Sequence, residues 1–284
     1  MRSRSSLSLL TIIYNAINKS LRRSSLSNTI NPTAIVSEQA LLGENNIIGP
    51  HVVIEANVKM GNGNTLMTGA MLKNGVKIGD DNTIHEYAVI GGLPQDLGFD
   101  PSTASYVTIG NGNTLREYVT VHRASLPDAV TRLGDENYLM THVHLGHDCQ
   151  LANRIIIAPG TGLGGHVHVA DRAFISGGVM VHQFVQIGTL AMIGGNAKIT
   201  QDVLPYMITD GVPATVRGLN LVGLRRAGCS RSDIQVLKQA YQIIHRSAQP
   251  QQVILEELRE IDSPYALQLA AFISGSRRSF HREK

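Results

Sequence analysis

The sequence predicts a mostly β protein in which a solenoid of hexapeptide repeats, a parallel β-helix, is followed by a C-terminal α-helical domain. Three observations support this fold class. Aliphatic residues recur at every sixth position, 28 glycines accompany an aromatic content of only 5%, and the six-residue period later gives way to a helical one. A strand alternates every two residues and a helix every 3.6, so neither alone sustains a period of six.

The six-residue period covers 26 hexads, each with one inward aliphatic residue and a turn after it. Three hexads make one triangular coil of 18 residues, and successive coils stack at about 4.8 Å. The aliphatic positions are Ile30, Val36, Leu42, Ile48, Ile54, Met60, Leu66, Leu72, Ile78, Ile84, Ile90, Ile109, Leu115, Val121, Leu133, Leu139, Leu145, Leu151, Ile157, Leu163, Val169, Ile175, Val181, Ile187, Ile193 and Ile199.

The period is interrupted twice, and a break in a solenoid indicates a loop that leaves the coil and often carries function. The first break covers residues 91–106 and the second covers residues 122–132. We therefore divide the chain into a β-helix over 29–205 and a linker with the C-terminal helical domain over 206–284.

The first 28 residues differ in composition from the rest of the chain. They carry five basic residues, many serines and no acidic residue, and several aliphatic side chains fall on one face of a helix. Such a segment is typical of an organellar presequence, which predicts import into the mitochondrion, with the plastid as the alternative. If residues 1–28 are not a presequence, a bacterial-type cytoplasmic protein is the other interpretation.

Charge and hydropathy exclude two classes of partner. Without residues 1–28 the formal net charge of +3 becomes −2, so the basic character does not indicate nucleic-acid binding. No stretch is long and apolar enough to predict a transmembrane segment. The two cysteines, Cys149 and Cys229, provide no disulfide framework.

After Asn220 the apolar residues follow a helical period and predict three helices. Ser230 or Ser232 caps the first helix, Pro250 begins the second, and the third follows Pro264. We expect these helices to cover the open end of the coil, because an uncovered end exposes strand edges. The closing basic residues are predicted to form a solvated tail, namely Arg277, Arg278, Arg282 and Lys284.

A cluster of polar side chains is predicted on one outer face of the coil, because residues 18 apart lie one strand spacing above each other. Asp148 stacks under His166 in this way, and His147 stacks under Gly165, whose missing side chain leaves room for a ligand. The cluster consists of His144, His147, Asp148, His166 and Gln183.

Three kinds of site fit this cluster. A neutral histidine oriented by a carboxylate is a good general base near pH 7. Three histidines also suffice to hold zinc and leave one position for water. Packing of imidazoles at a subunit contact is the third interpretation. Nearby Cys149 occupies a small inward position of its hexad, so we interpret it as part of the core. The GNGN segments at 61–64 and 110–113 are interpreted as turns and not as phosphate loops.

Several motifs resemble the UDP-N-acetylglucosamine O-acyltransferases of lipid A biosynthesis, from about residue 30 to the end of the chain. The motifs are MTHVHLGHDC (140–149), GGHV (164–167), VHQF (181–184), QDV-PY (201–206), GLNLVGLRRAG (218–228), PQDL (94–97) and VTVHR (119–123). The resemblance implies a left-handed coil and a homotrimer with its site between neighbouring subunits. It also implies transfer of a 3-hydroxyacyl chain from acyl carrier protein to the 3-hydroxyl of UDP-N-acetylglucosamine.

The resemblance implies roles for the clustered residues. His147 would be the general base, and Asp148 would orient it. The sugar, the phosphates or the developing oxyanion would contact His144, His166 and Gln183. The acyl group would arrive on the phosphopantetheine of the carrier protein, so no further cofactor and no metal are implied.

Other residues take their implied roles from the loops and the C-terminal part. Gln95 and Asp96 of the first loop would reach the site of the adjacent subunit. Asn220 and Arg226 would bind the nucleotide. Gly195 falls where side-chain size limits acyl length, and glycine implies a longer chain.

The chain departs from the family pattern at three positions. Gly98 replaces the lysine after QDL, Val222 replaces an acidic residue, and Ala227 replaces the second arginine of a pair, although Arg225 is available as a substitute. These changes concern nucleotide affinity and rate more than the type of reaction.

Three alternatives remain open. The N-acyltransferase of the same pathway has a similar coil but carries an extra domain before its repeats. A zinc enzyme of the γ-carbonic anhydrase type is also built from hexapeptides, but it lacks a long helical tail and an HxxHDC run. A non-enzymatic scaffold would not need the two loops or the clustered histidines.

Overall fold

The computed structural model describes residues 27–246 and 249–283, and that part of the chain forms 28 strands and four helices. In chain order the strands are β1 (Thr29–Ile30), β2 (Ile35–Val36), β3 (Leu41–Leu42), β4 (Ile47–Ile48), β5 (Val53–Ile54), β6 (Lys59–Met60), β7 (Thr65–Leu66), β8 (Met71–Leu72), β9 (Val76–Ile78), β10 (Thr83–Ile84), β11 (Val89–Gly92), β12 (Tyr106–Ile109), β13 (Thr114–Leu115), β14 (Thr120–His122), β15 (Val130–Leu133), β16 (Tyr138–Leu139), β17 (His144–Leu145), β18 (Gln150–Leu151), β19 (Ile156–Ile157), β20 (Gly162–Leu163), β21 (His168–Val169), β22 (Phe174–Ile175), β23 (Met180–Val181), β24 (Gln186–Ile187), β25 (Met192–Ile193), β26 (Lys198–Ile199), β27 (Met207–Gly211) and β28 (Ala214–Leu219). The helices are α1 (Leu221–Arg226), α2 (Arg231–Arg246), α3 (Gln251–Glu260) and α4 (Pro264–Gly275).

Strands β1 to β26 wind through three parallel sheets in turn, so that each sheet takes every third strand. Ile30 pairs with Ile48 and Ile48 pairs with Leu66, which makes one coil 18 residues long. All 26 aliphatic positions predicted from the six-residue period lie in these strands. The predicted fold class is therefore confirmed.

The three sheets meet at three edges, each formed by a column of turns, and we number the edges in the order in which the chain passes them. The first edge joins the first sheet to the second, the second edge joins the second sheet to the third, and the third edge closes the coil. Both predicted loops leave the coil at the second edge, between β11 and β12 and between β14 and β15. Since the strands on either side of each loop stay in register, the loops extend outward without disturbing the coil.

Both loops are shorter than predicted, because their ends continue the parallel pairing of the neighbouring coils. Gly92 pairs with His122, and Tyr106 pairs with Val130. The loops therefore cover residues 93–105 and 123–129 instead of 91–106 and 122–132.

A ladder of asparagines runs along the inside of the third edge. The Oδ1 atom of each asparagine but the last accepts hydrogen bonds from the backbone N and the Nδ2 of the asparagine one coil further on, at 2.8–3.1 Å. The Oδ1 of the last accepts from the backbone N of Ile155 at 2.8 Å. This ladder satisfies backbone groups that the tight corner would otherwise bury unpaired. Two members come from the GNGN segments, which are turns as predicted. The ladder consists of Asn28, Asn46, Asn64, Asn82, Asn113 and Asn137.

Beyond residue 205, the predicted end of the coil, the first sheet alone continues. Strand β27 pairs in parallel with β25, and β28 folds back antiparallel to β27. Residues 207–219 thus form a hairpin that extends the first sheet, where we expected a linker. The six-residue pattern could not show this hairpin, because its strands have five and six residues and no hexad turn.

The C-terminal helices pack on this hairpin and cover the end of the coil, as predicted. Leu204 and Val216 from the β region share a buried apolar cluster with residues of all four helices. Ser230 is the cap of α2, because its Oγ accepts a bond of 3.1 Å from the backbone N of Asp233. Pro250 precedes α3, as expected. The short helix α1 was not expected from the sequence.

The closing residues do not form the solvated tail that we predicted. Phe280 is buried and forms a parallel bridge with Asp202. Arg278 donates from Nη1 to the carbonyl O of Gln183 at 3.0 Å and from Nε to the carbonyl O of Thr200 at 3.4 Å. The tail therefore returns to the last coil and packs along it.

The opposite end of the coil is uncovered within the described residues. Ile30, Ile35 and Leu41 of the first coil expose about half of their surface or more, at 45%, 67% and 62%. The predicted presequence, residues 1–28, lies almost entirely outside the described residues. Among the helices of the described ranges, none has the length and hydropathy needed to cross a bilayer.

Candidate active site

The candidate site is built on the second edge by five successive coils. The two loops leave this edge in the fourth and fifth coils, and the turns at 146–149, 164–167 and 182–185 follow in the next three. Because the turns stack in register, side chains at equal positions lie directly above one another. This column brings the predicted cluster together from segments far apart in sequence.

His147 and Asp148 form the centre of the site. The Nδ1 of His147 lies 2.8 Å from Oδ2 of Asp148. The same oxygen accepts bonds from the backbone N and the Oγ of Ser125 in the second loop, at 3.0 and 2.7 Å. Burial alone would raise the pKa of Asp148, but the bonds from His147 and Ser125 outweigh it and hold that pKa below its ordinary value.

An ionised Asp148 defines the tautomer of His147. A carboxylate only accepts hydrogen bonds, so Nδ1 of His147 carries the proton and Nε2 keeps its lone pair. The backbone N of Asp148 donates to Oγ1 of the buried Thr131 at 2.8 Å, which anchors the turn. The bond to Asp148 thus leaves Nε2 as the nitrogen of His147 that is available as a base.

His144 and His122 stand beside this pair on the outer face of the second sheet. Nδ1 of His144 lies 2.7 Å from Oγ1 of Thr120, and the rings of His122 and His144 meet edge to face at 4.8 Å. Burial lowers the pKa of His144 and lowers that of His122 to about 4. Both imidazoles are therefore neutral at pH 7 and act as hydrogen-bonding groups.

His166 and Gln183 occupy the next two turns of the column, as the 18-residue spacing predicts. Nε2 of His166 lies 3.6 Å from Oδ2 of Asp148, and its ring meets that of His147 edge to face at 5.2 Å. On its other side His166 stacks on Phe184, with ring centroids 4.5 Å apart. The second edge therefore carries a continuous chain of ring contacts from Phe184 to His147.

A cleft of about 380 Å³ runs along these side chains. The backbone of several glycines forms the floor of the cleft. The His147 ring lies directly over Gly165: a Cβ added to Gly165 would lie 2.6 Å from Nε2 and Cε1 of His147. Four predicted site residues line this cleft: Gln95, His144, His147 and Gln183. Asp148 and His166 do not line the cleft, but both contact the His147 ring.

Gln95 of the first loop lines the cleft of its own chain. The expectation that this loop reaches the site of the adjacent subunit concerns an assembly and stays a prediction. The loop leaves the coil on the same edge, two coils before His144 and His147, and Gln95 lines the same cleft as these histidines. Asp96 does not line the cleft, and its Oδ1 accepts a bond of 2.9 Å from the backbone N of Gly98.

Three other predicted site residues lie away from this cleft within one chain. Asn220 is buried and caps α1, with Oδ1 accepting from the backbone N of Gly223 at 3.0 Å. Arg226 ends the same helix. Gly195 lies on the first edge, where an added Cβ would meet Gly177 O only at 3.6 Å. A single chain does not unite these residues with His147.

Three residues of the site were not assigned to it from the sequence. His122 was quoted in a motif but not placed in the cleft, although Val121 and Leu145 pair across the second loop and bring it beside His144. Met180 lines the cleft next to His144 and Gln183. Ser125 was hidden because a loop residue has no fixed place in the six-residue period.

Cys149 lies in the core, as predicted. Its side chain is fully buried, and its Sγ lies 3.2 Å from the carbonyl O of Gly164. Burial raises the pKa of the thiol to about 12, so a thiolate nucleophile is not available at neutral pH.

Two groups of side chains in the described residues lie close enough together to hold a metal ion. The first is His147 with Asp148 and His166. The second is His85 with Glu86 and Glu117 on the first edge, where the Arg116 guanidinium lies 2.8 Å from Glu117. That cation already neutralises one of the carboxylates, which disfavours a second positive charge there.

Two family models match the chain. Residues 202–281 match a model described as UDP-N-acetylglucosamine O-acyltransferase, domain 2, and residues 57–92 match a model of the bacterial transferase hexapeptide with six repeats. The matched segments cover the C-terminal part that caps the coil and two of its early coils.

Similar proteins extend the match over most of the chain. An acyl-(acyl carrier protein)–UDP-N-acetylglucosamine O-acyltransferase from Synechocystis is 46% identical over 190 residues, which cover 66% of this chain and 68% of the relative. The structure of the UDP-N-acetylglucosamine acyltransferase from Francisella novicida has a TM-score of 0.88 at 33% identity and covers 90% of this chain and 94% of its own. The Arabidopsis UDP-N-acetylglucosamine acyltransferase structure has a TM-score of 0.76 at 34% identity, covering 90% and 100%.

Proposed function

The chain belongs to the family of acyl-(acyl carrier protein)–UDP-N-acetylglucosamine O-acyltransferases, and from this membership we propose its reaction. It transfers a 3-hydroxyacyl chain from acyl carrier protein to the 3-hydroxyl of UDP-N-acetylglucosamine, the first step of lipid A biosynthesis. The observation that carries the proposal is the His147–Asp148 pair beside a cleft with a glycine floor.

In this mechanism His147 is the general base. Its Nε2 takes the proton from the sugar 3-hydroxyl while the hydroxyl oxygen attacks the thioester carbonyl carbon. Asp148 accepts from Nδ1 and stabilises the imidazolium that forms. When the tetrahedral intermediate collapses, the C–S bond breaks, and His147 returns the proton to the departing pantetheine thiolate.

The neutral donors around the cleft suit the charge that develops on the thioester oxygen. His144 and Gln183 line the cleft and offer N–H groups that are fixed before the reaction begins. A neutral histidine stabilises an oxyanion by donating a hydrogen bond and does not give up a proton at pH 7. We assign oxyanion or phosphate contact to these two residues.

The reaction is tested by incubating residues 29–284 with UDP-N-acetylglucosamine and 3-hydroxyacyl carrier proteins of several chain lengths. Mass spectrometry of the sugar nucleotide shows whether an acyl group has been added and which length is preferred. Mild alkali distinguishes the linkages, since an ester is cleaved and the amide made by an N-acyltransferase is not. A folded protein that yields no acylated product with any donor would overturn the proposal.

We propose that the site needs no metal and no cofactor other than the carrier's phosphopantetheine. Oδ2 of Asp148 already accepts bonds from Ser125 and His147, which favours an orienting carboxylate over a zinc ligand. Elemental analysis of the active protein decides this point. One zinc per subunit, with activity lost on chelation and restored by zinc, would favour the γ-carbonic anhydrase type of site instead.

We propose that the protein is a homotrimer whose subunits pack through the first sheet. The outer face of that sheet carries an apolar column in register, of which Ile156 and Phe174 are exposed. Leu97 at the tip of the first loop is fully exposed. Exposed apolar surface of this kind is typical of a subunit interface. The column consists of Tyr138, Ile156, Phe174 and Met192.

A charge in this column should separate the subunits. We expect Phe174→Asp to change a trimer into a monomer, because an unpaired carboxylate would be buried at the interface. Sedimentation equilibrium measures the mass. Leu41→Asp introduces the same charge at an exposed leucine of the third sheet and should leave the trimer intact. A Phe174→Asp variant that remains trimeric would contradict this choice of interface.

We also propose that residues 1–28 direct the protein to the mitochondrion, with the plastid as the alternative. The basic and serine-rich composition of this segment supports the proposal. A fusion of residues 1–28 to a fluorescent reporter tests it directly. A reporter that stays in the cytosol would refute it.

A further inference from the structure

The last turn of the second edge, at 200–203, lacks one of the backbone hydrogen bonds that the earlier turns of this edge make to the turn before them. The carbonyl O of His147 accepts from the backbone N of His166 at 2.9 Å, and the carbonyl O of Gly165 accepts from that of Phe184 at 3.0 Å. By this pattern the carbonyl O of Gln183 would accept from the backbone N of Asp202. That N–H donates instead to the carbonyl O of Ser279 in the tail, at 2.9 Å.

Arg278 supplies a donor to the carbonyl O of Gln183, beside Nδ1 of His182, which lies 3.2 Å from the same oxygen. The Nη1 of Arg278 lies 3.0 Å from the carbonyl O of Gln183, and its Nε lies 3.4 Å from the carbonyl O of Thr200 in the following turn. The planar guanidinium offers several donors in fixed directions, which allows it to join two turns at once. The side chain thus replaces the one backbone bond that the turn at 200–203 does not make to the carbonyl O of Gln183.

The tail holds Arg278 in place through the buried Asp202. The Oδ2 of Asp202 accepts from Oγ of Ser276 at 2.6 Å, and the carbonyl O of Asp202 accepts from the backbone N of His281 at 3.0 Å. On the coil side, Oδ1 of Asp202 accepts from the backbone N of Gln186 at 2.8 Å. Arg278 is therefore fixed on both sides, by residues 276 and 281 of the same short tail.

The turn that Arg278 holds supplies two side chains to the site. Gln183 lines the cleft, and Phe184 stacks on His166, which in turn contacts His147. Phe184 adopts a left-handed backbone conformation with φ of 66°. A non-glycine residue keeps that conformation only where its surroundings enforce it.

We propose that Arg278 is a positioning residue for the transfer reaction. By donating to the carbonyl O of Gln183 it sets where the Gln183 side chain meets the substrate and where Phe184 supports His166. The C-terminal tail, about 130 residues after His147, thereby becomes part of the active-site support. This inference rests on the proposed function, because it assigns Arg278 a role in that reaction.

Loss of the guanidinium should affect transfer more than folding. We expect Arg278→Ala to lower kcat/KM for UDP-N-acetylglucosamine roughly tenfold, with most of the change in kcat, because a displaced supporting turn misaligns bound reactants. Arg278→Lys keeps one donor and should recover part of the activity. The neighbouring Arg277→Ala is the matched control and should behave like the wild type, since Arg277 is exposed.

A second measurement does not depend on activity. Hydrogen exchange of the backbone amides of residues 182–185 should be faster in Arg278→Ala than in the wild type and in Arg277→Ala, while exchange in the turn at 146–149 changes less. Melting temperatures of all variants are recorded beside it. A wild type that transfers no acyl group would refute the proposed function, and the exchange data would still decide whether Arg278 holds the turn.

The inference fails if Arg278→Ala transfers acyl groups at the wild-type rate. It also fails if Arg277→Ala loses as much activity, or if the loss in Arg278→Ala merely follows a lower melting temperature. Selective loss in Arg278→Ala, partial recovery in Arg278→Lys and faster exchange at 182–185 together would establish it.

Discussion

Replacing His147 with alanine is expected to lower kcat by roughly 10²–10⁴-fold, the usual contribution of a general base. The variant removes the imidazole that lines the cleft and whose Nδ1 is held by a carboxylate, whereas the fold loses only one partly exposed side chain. Asp148 keeps its bonds from Ser125, so its carboxylate is not left unpaired. Steady-state transfer of the acyl chain, followed by mass spectrometry, measures the effect.

The control for this variant is an exposed histidine elsewhere on the coil. His168 lies on the outer face of the third sheet, so His168→Ala should retain wild-type activity. The melting temperature and the oligomeric state of both variants should match the wild type. If His147→Ala transferred acyl groups as fast as the wild type, the assignment of His147 as the base would be wrong.

Adding a single methyl group at Gly165 is expected to lower kcat about 10²-fold, the cost of displacing a catalytic group by roughly 1 Å. A Cβ at this position would lie 2.6 Å from Nε2 and Cε1 of His147, so the ring has to move. Movement of the ring lengthens its 2.8 Å contact with Asp148. Gly165→Ala thus displaces the base without removing it.

Two comparisons make the Gly165 prediction specific. Gly275→Ala adds the same methyl group where no heavy atom lies within 4 Å, and it should be fully active. The double variant Gly165→Ala with His147→Ala should be no less active than His147→Ala alone, because both changes act on one imidazole. If the two losses multiplied, Gly165 would act on catalysis by another route.

The solenoid could be predicted in detail because every coil obeys the same local rule. One inward aliphatic residue per six positions suffices to define strand, turn and register, as Ile48 and Leu66 show by pairing one coil apart. The hairpin of β27 and β28 obeys no such period. It forms because the end of the first sheet needs a partner for β25, which is a tertiary requirement that no local pattern states.

The site was predictable where it belongs to the coil and not where it belongs to the loops or the tail. The 18-residue spacing alone is enough to place Asp148 under His166, and the two side chains do lie together. Gln95 was assigned to the site only through the resemblance and Ser125 was missed, because both come from insertions whose paths depend on packing. Arg278 approaches from the other end of the chain, and nothing in its sequence neighbours distinguishes it from a solvated arginine.

Because only one end of the coil is covered within the described residues, the two ends should respond differently to a mechanical force. Within residues 27–246 the first coil contacts only one other coil, so a pull on its N-terminal side acts on it first, and each coil that peels away releases on the order of 60 Å of extended chain. Five coils precede the one that contains His147. The protein should therefore lengthen in steps while its catalytic edge, next to the helical cap, is the last part to lose its shape.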